Sequence, residues 1–186
     1  MTTERHPIVS SGAAGVAAVA IAVGAVVSVA LGVYGREHPP TGEAITTLGF
    51  DSMIAMKVWL GLVAGLLALV QLTTAARMYG RIGSGPGNPA VALLHKGSGA
   101  LALLLSLPVA FHCLWSLGFQ TYSTRVLVHS LAGCLLYGAF VTKVLTLHRR
   151  GAPGWLVPLA GGLTLVALVT VVLSSSVWYL AAVGPP

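Results

Sequence analysis

Long apolar runs, separated by short stretches that hold most of the charges, define the pattern of this chain. Five runs are each close to the roughly 20 apolar residues that a membrane-spanning helix needs. Backbone polar groups inside a bilayer must be satisfied within their own segment, so each run is predicted to be an α-helix. The predicted spans are 8–34, 58–79, 97–117, 126–147 and 155–180. We therefore expect an all-α, polytopic membrane helix bundle, with residues 1–186 forming a single membrane domain.

The composition supports a membrane protein, because 56% of the residues are hydrophobic and only 8% are charged. The formal net charge of +6 does not indicate nucleic-acid binding, since the basic residues lie between the apolar runs. The first run is too long for the hydrophobic region of a signal peptide, and no convincing cleavage site follows it. We interpret it as a retained helix of a multi-pass protein of the cell membrane.

The distribution of Lys and Arg predicts that the N-terminus is inside and the C-terminus is outside. With this orientation, three basic residues lie on the outer side: Arg36, Lys57 and Arg125. Seven lie on the cytoplasmic side: Arg5, Arg77, Arg81, Lys96, Lys143, Arg149 and Arg150. The excess on the cytoplasmic side satisfies the positive-inside rule.

Four of the six histidines bound the third and fourth predicted helices: His95, His112, His129 and His148. Only a short outer turn joins these helices, so they are predicted to be antiparallel neighbours. His112 and His129 would then lie at one level near the outer surface, and His95 and His148 at one level near the inner surface. A histidine in a membrane segment is costly unless it has a partner, so two pairs indicate two sites.

Paired imidazoles on neighbouring helices are typical of low-spin haem b, whose iron takes an axial nitrogen on each face. A zinc site wants more protein ligands, and no acidic residue lies within a predicted span. Arg125 precedes His129 by one turn and is predicted to pair with a haem propionate. The two cysteines, Cys113 and Cys134, form no CxxC or CxxCH motif and are interpreted as small packing residues.

A simpler interpretation remains open, because a single histidine at a helix end is usually an interfacial polar residue. The alternative function is a non-redox membrane protein, either a small transporter or a complex-assembly subunit. Its histidines would bind a metal ion or relay protons.

The segment from His95 to His148 resembles the small membrane cytochromes b, namely the cytochrome b561-like and ferric-reductase-like electron carriers. The resemblance lies in an H-x-x-x-G pattern at His95 and again at His129. It implies two haem b groups with the four histidines as axial ligands of the iron. The histidines of each helix are 17 and 19 residues apart, longer than in the ferric-reductase-like pattern. This leaves open that one pair is a quinone or proton site and that only one haem binds.

The expected function is therefore transfer of electrons across the bilayer by a haem-b membrane subunit of a redox system, for example a quinone-linked oxidoreductase. The expected partners are the lipid bilayer and a quinone or an extracytoplasmic redox protein, within a larger complex. No nucleotide-binding fingerprint is present, so a nicotinamide or flavin domain would belong to another chain.

The orientation can be tested with reporter fusions placed after Arg81 and after Arg150. Both reporters are expected on the cytoplasmic side, because the positively charged loops resist translocation. A reporter on the outer side at either position would contradict both the orientation and the assignment of histidines by depth.

Overall fold

The computed structural model describes residues 11–83 and 88–186, and the described residues form helices and loops with no strand. The helices are α1 (Ser11–Glu37), α2 (Met53–Met78), α3 (Pro89–His112), α4 (Thr124–His148), α5 (Leu156–Val172) and α6 (Trp178–Ala182). A π-helical segment, Cys113–Leu117, continues α3, and a second one, Leu173–Val177, joins α5 to α6. The described residues thus contain five helical spans that are long and apolar enough to cross a membrane.

The predicted all-α bundle with five membrane-spanning helices is confirmed, and the helix ends differ in instructive ways. α2 and α3 begin well before, and α4 slightly before, the starts that the apolar runs indicate, because polar capping residues start these helices. Ser52 caps α2 by accepting a hydrogen bond from the amide of Ala55, and Asn88 caps α3 by accepting one from Ala90. The predicted start of the first span, residue 8, and the topology charge at Arg5 lie outside the described residues.

The five spans form a ring rather than a chain of neighbours. In order around the ring, α1 packs on α4, α4 on α5, α5 on α2, and α2 on α3. The ring closes where α1 meets the π-helical end of α3. Its interior surfaces are rich in buried alanines, whereas leucines and valines such as Leu66, Val29 and Val166 point outward and are exposed. Large apolar side chains on the outside are what a lipid-facing surface requires.

Small residues determine which helices approach each other. A Cβ built on Gly24 of α1 would lie 2.5 Å from the carbonyl oxygen of Gly138 in α4 and would collide with Thr142. A Cβ on Gly65 of α2 would lie 2.9 Å from Val172 in α5. Glycine at these points lets the helix backbones come close, which is how helices associate where lipid is as apolar as they are.

The expectation that the third and fourth helices are close packing partners was wrong, although a hydrogen bond between Tyr137 and Ser106 joins them. α3 packs on α2, where the side-chain amide of Gln71 donates a hydrogen bond to Ser98 Oγ at 2.7 Å. α4 packs on α1 and α5 instead. The short connection after α3 fixes only the distance between two helix ends, whereas the small-residue faces decide which surfaces meet. As a result α3 and α4 lie on opposite sides of a cavity.

The close approach of α1 and α4 predicts a strong effect of Gly24→Ala. The added methyl group must push two helix backbones apart, which should cost about 1–3 kcal/mol as an overpacked contact. The matched control is Gly15→Ala in the same helix, where an added Cβ would meet nothing within 4 Å. Thermal unfolding of the detergent-purified proteins should show a lower Tm for Gly24→Ala only. Equal Tm values for the two variants would contradict this packing.

Candidate functional site: the outer cavity

A cavity of about 620 Å³ lies inside the ring and is lined by residues of all five spans. It occupies the end of the bundle that carries the loop between α1 and α2, which we call the outer end. Its size falls within the roughly 300–1,000 Å³ that is usual for ligand and cofactor sites. The walls are mostly apolar, and a few polar side chains converge in it, including Lys57, Arg125 and His129. We call it the outer cavity.

Of the four histidines predicted as ligands, only His129 lines the outer cavity. Its Nδ1 lies 3.0 Å from the hydroxyl oxygen of Ser174, and that hydroxyl donates its own proton to the carbonyl of Thr170 at 2.6 Å. The hydroxyl must therefore accept the Nδ1 proton of a neutral imidazole. The lone pair of His129 is then on Nε2, which can accept a hydrogen bond from the neighbouring thiol of Cys113 or bind a metal in its place.

Arg125 also lines the outer cavity, one turn before His129 on α4. It donates a hydrogen bond from Nη1 to the carbonyl of Ser174 at 2.6 Å, and its guanidinium lies over the ring of Trp178 at 3.5 Å. These two contacts hold the positive charge at the cavity wall. Ser174 thus positions two functional side chains at once, through its hydroxyl and through its carbonyl.

Lys57 adds a second positive charge to the cavity lining. Among the residues that the structure describes, no carboxylate lines the cavity to balance these charges. The three described acidic residues are all exposed, in or beside the outer loop: Glu37, Glu43 and Asp51. An apolar cavity with two cations and no anion suits a ligand that is largely apolar and carries anionic groups.

Two further features of the cavity escaped the sequence analysis. The thiol of Cys113 lies beside His129 and Lys57, whereas the sequence indicated only a packing role. Across the cavity, the hydroxyl of Tyr137 in α4 donates to the carbonyl of Ser106 in α3 at 3.0 Å. Two features of the sequence could have indicated polar contacts here: the run of three serines that begins at Ser174, and Tyr137, a tyrosine inside an apolar span.

His112 does not line the outer cavity, although it is only one residue before Cys113. It is fully buried, with Nδ1 at 2.7 Å from the carbonyl of Pro108 and Nε2 accepting the amide of Thr46 at 3.4 Å. Successive residues of a helix point about 100° apart, so only one of the two can face the cavity. The structure gives that position to Cys113 and places His112 under the outer loop.

His95 and His148 each have a different hydrogen-bond partner. His95 is part-buried between α2 and α3, with Nδ1 at 2.8 Å from the hydroxyl of Thr74. His148 is exposed at the end of α4, with Nδ1 at 2.8 Å from the carbonyl of Val144. Each imidazole therefore has its own partner, and neither residue lines the outer cavity.

Metal sites with several protein ligands were also considered. No three His, Cys, Asp or Glu side chains come together within residues 11–83 and 88–186. The described side chains therefore do not assemble the three or four protein ligands of a zinc site. A cofactor that already binds its metal through most of the metal's coordination positions needs only one or two further ligands from the protein.

Comparisons with known proteins give a family but no function. No curated protein and no solved structure matches the chain. One family model matches residues 16–186, which is nearly the whole sequence. The chain therefore belongs to DUF6529, a family of unknown function.

Proposed function

We propose that this chain is a haem-b-binding membrane subunit of a redox system and that the outer cavity is the haem site. The observation that carries the proposal is the combination of His129, whose Nε2 carries the lone pair, and two unbalanced cations in an apolar cavity. Haem b has an apolar ring, an iron that accepts an axial imidazole and two anionic propionates. Each of these three features meets a complementary feature of the cavity.

The residues present fit this group in a specific way. His129 would supply an axial ligand, and Arg125 and Lys57 would pair with the propionates at the outer end. Charge-assisted hydrogen bonds between a guanidinium and a carboxylate are among the stronger polar contacts in proteins. The bound haem would supply one-electron exchange, and the protein's part is to bind it, orient it and limit its contact with water.

The neighbouring residues of the chain hold the site in place. Ser174 fixes the orientation of the His129 ring, and Trp178 supports the guanidinium of Arg125. Hydrogen bonds such as that from the amide of Gly42 to the carbonyl of Ser116, at 2.9 Å, fasten the outer loop to the end of α3. The helices around the cavity limit the contact of the site with bulk water, which strengthens its hydrogen bonds.

The position of the cavity argues for one haem near the outer surface rather than two haems spanning the bilayer. His95 and His148 bond to different partners and neither lines the cavity, so we propose no second haem between them. We therefore propose that electrons are exchanged on the outer side, with a quinone or an extracytoplasmic redox protein as partner. The chain would act within a larger complex, because it carries no nucleotide-binding fingerprint of its own.

The proposal predicts that His129→Ala abolishes haem binding. A reduced-minus-oxidised visible spectrum of the purified wild type should show a b-type haem, and the variant should lose it because its axial nitrogen is gone. The matched control is His148→Ala, which removes an exposed imidazole far from the cavity and should keep the full spectrum. Both variants should retain the gel-filtration profile of the wild type in detergent.

Two outcomes would contradict the haem proposal. One is a wild-type protein that contains no haem after expression with an adequate haem supply. The other is unchanged haem content in His129→Ala, which would remove the outer cavity as the site. Loss of haem in His148→Ala would instead point to the inner end of α4.

A second prediction concerns Arg125→Gln, which removes one positive charge from the cavity wall. A nearby cation favours the ferrous form, so its loss should lower the midpoint potential. A charge near a protein surface is worth on the order of 1 kcal/mol, which corresponds to tens of millivolts. A redox titration should show this shift with little loss of haem, whereas Arg149→Gln at the inner end should show none. An unchanged potential would make Arg125 a plain interfacial residue.

A further inference from the structure

Cys113 and His129 are in direct contact within the outer cavity, although they belong to different helical spans. The thiol lies within hydrogen-bonding reach of the imidazole, and the ammonium group of Lys57 lies beside the same sulfur. Cys113 is the first residue of the π-helical segment that continues α3, and π-helical turns are frequent at functional sites. A cysteine held by an imidazole and an ammonium group has the surroundings of a reactive thiol more than of a packing residue.

The hydrogen bonds around His129 give this contact a direction. The hydroxyl of Ser174 donates to the carbonyl of Thr170 at 2.6 Å and accepts the Nδ1 proton of His129 at 3.0 Å. Nε2 therefore carries the lone pair and can accept the proton of the Cys113 thiol. A nucleophile, a base beside it and a third group that orients the base form the arrangement that activates cysteine and serine nucleophiles.

We infer that Cys113 is an activated thiol that undergoes thiol–disulfide exchange in the outer cavity, with a small disulfide that bears an anionic group as the reagent. The thiol proton passes to Nε2 of His129, and the sulfur attacks one sulfur of the disulfide. A new S–S bond to Cys113 forms, the S–S bond of the reagent breaks, and the departing thiolate takes the proton from His129. Lys57 stabilises the negative charge on the attacking sulfur.

The lining of the cavity determines which disulfides fit. Its walls are mostly apolar, and Arg125 and Lys57 carry positive charge, with no carboxylate among the described lining residues. A disulfide with an apolar body and a carboxylate is complementary to this lining. The cavity lies at the outer end of the bundle, and the expected orientation of the chain places that end in an oxidising compartment, where disulfides persist.

The second cysteine of the cavity lies in a different environment. The Sγ of Cys134 is 3.7 Å from the position of a Cβ built on Gly32, where α1 packs on α4. This sulfur fills the space that the glycine leaves between the two helices. Cys134 is therefore a packing residue and supplies the matched control for Cys113.

The activated thiol and the proposed haem site depend on the same atom. A haem held by His129 would take the Nε2 nitrogen that the Cys113 thiol needs, so only the haem-free chain presents the activated thiol. A group attached to Cys113 would in turn occupy part of the cavity and prevent haem from binding. This mutual exclusion rests on the proposed function, whereas the contact between Cys113 and His129 does not.

The test uses the full chain in detergent, purified from cells without a haem supply, and dithiobis(nitrobenzoate), an aromatic disulfide with two carboxylates. The wild type and Cys134→Ser are expected to release one equivalent of coloured thiolate rapidly at neutral pH, and Cys113→Ser none in the same time. His129→Ala is expected to react about 10-fold more slowly, because an ordinary thiol is only a few per cent ionised at neutral pH. Ser174→Ala, which keeps the base but loses its orientation, should react at an intermediate rate.

The pH dependence separates loss of the base from a damaged cavity. Raising the pH should restore most of the rate of His129→Ala, because hydroxide then removes the thiol proton. Equal rates for the wild type and His129→Ala at neutral pH would overturn the inference. A rapid reaction that persists in Cys113→Ser, or a wild type that does not react, would also overturn it.

A last comparison distinguishes this inference from the haem proposal. Wild type loaded with haem is expected to lose the rapid reaction, because its imidazole is occupied. A chain that takes up no haem but keeps the rapid, His129-dependent reaction would overturn the haem proposal and support the activated thiol. A chain that binds haem through His129 but shows no rapid reaction when haem-free would overturn the activated thiol alone.

Discussion

Direct contact between small residues holds this bundle together, because lipid tails give apolar helices no hydrophobic reason to associate. Gly24 meets Gly138, and Gly65 meets Val172, so that α1 is bound to α4 and α2 to α5. Each contact occupies one face of a helix, so no other helix can pack on that face. Five helices joined in this way close into a ring, and the space within it becomes the outer cavity.

The chemistry of the cavity depends on a few side chains that come from distant parts of the chain. Ser174 is 45 residues from His129 in sequence, yet its hydroxyl decides which imidazole nitrogen carries the proton. Its carbonyl, within a π-helical segment, is available to Arg125. The two π-helical segments both lie along the cavity, where a wider turn exposes polar groups that a regular α-helix would use itself.

The five membrane helices could be predicted from apolar run length alone, because the bilayer fixes both their length and their internal hydrogen bonding. The depth of His129 and Arg125 was predictable for the same reason, since position along a helix translates directly into depth. The direction in which a side chain points could not be predicted from the sequence. It depends on which faces the small residues bring together, so His112 was expected in the site and Cys113 was missed. Ser52 and Asn88 are typical capping residues that lie outside the apolar runs. For this reason the apolar runs alone placed the starts of α2 and α3 too late.

The order of packing has a consequence for how the protein is made. Helices leave the ribosome one after another, but α1 finds its main partner only in α4, and α2 packs on α3 and then on α5. The first three helices therefore enter the membrane without the wall that carries His129. The outer cavity is complete only after the fifth span has joined the bundle, so a ligand that contacts all five spans can be enclosed only at that stage.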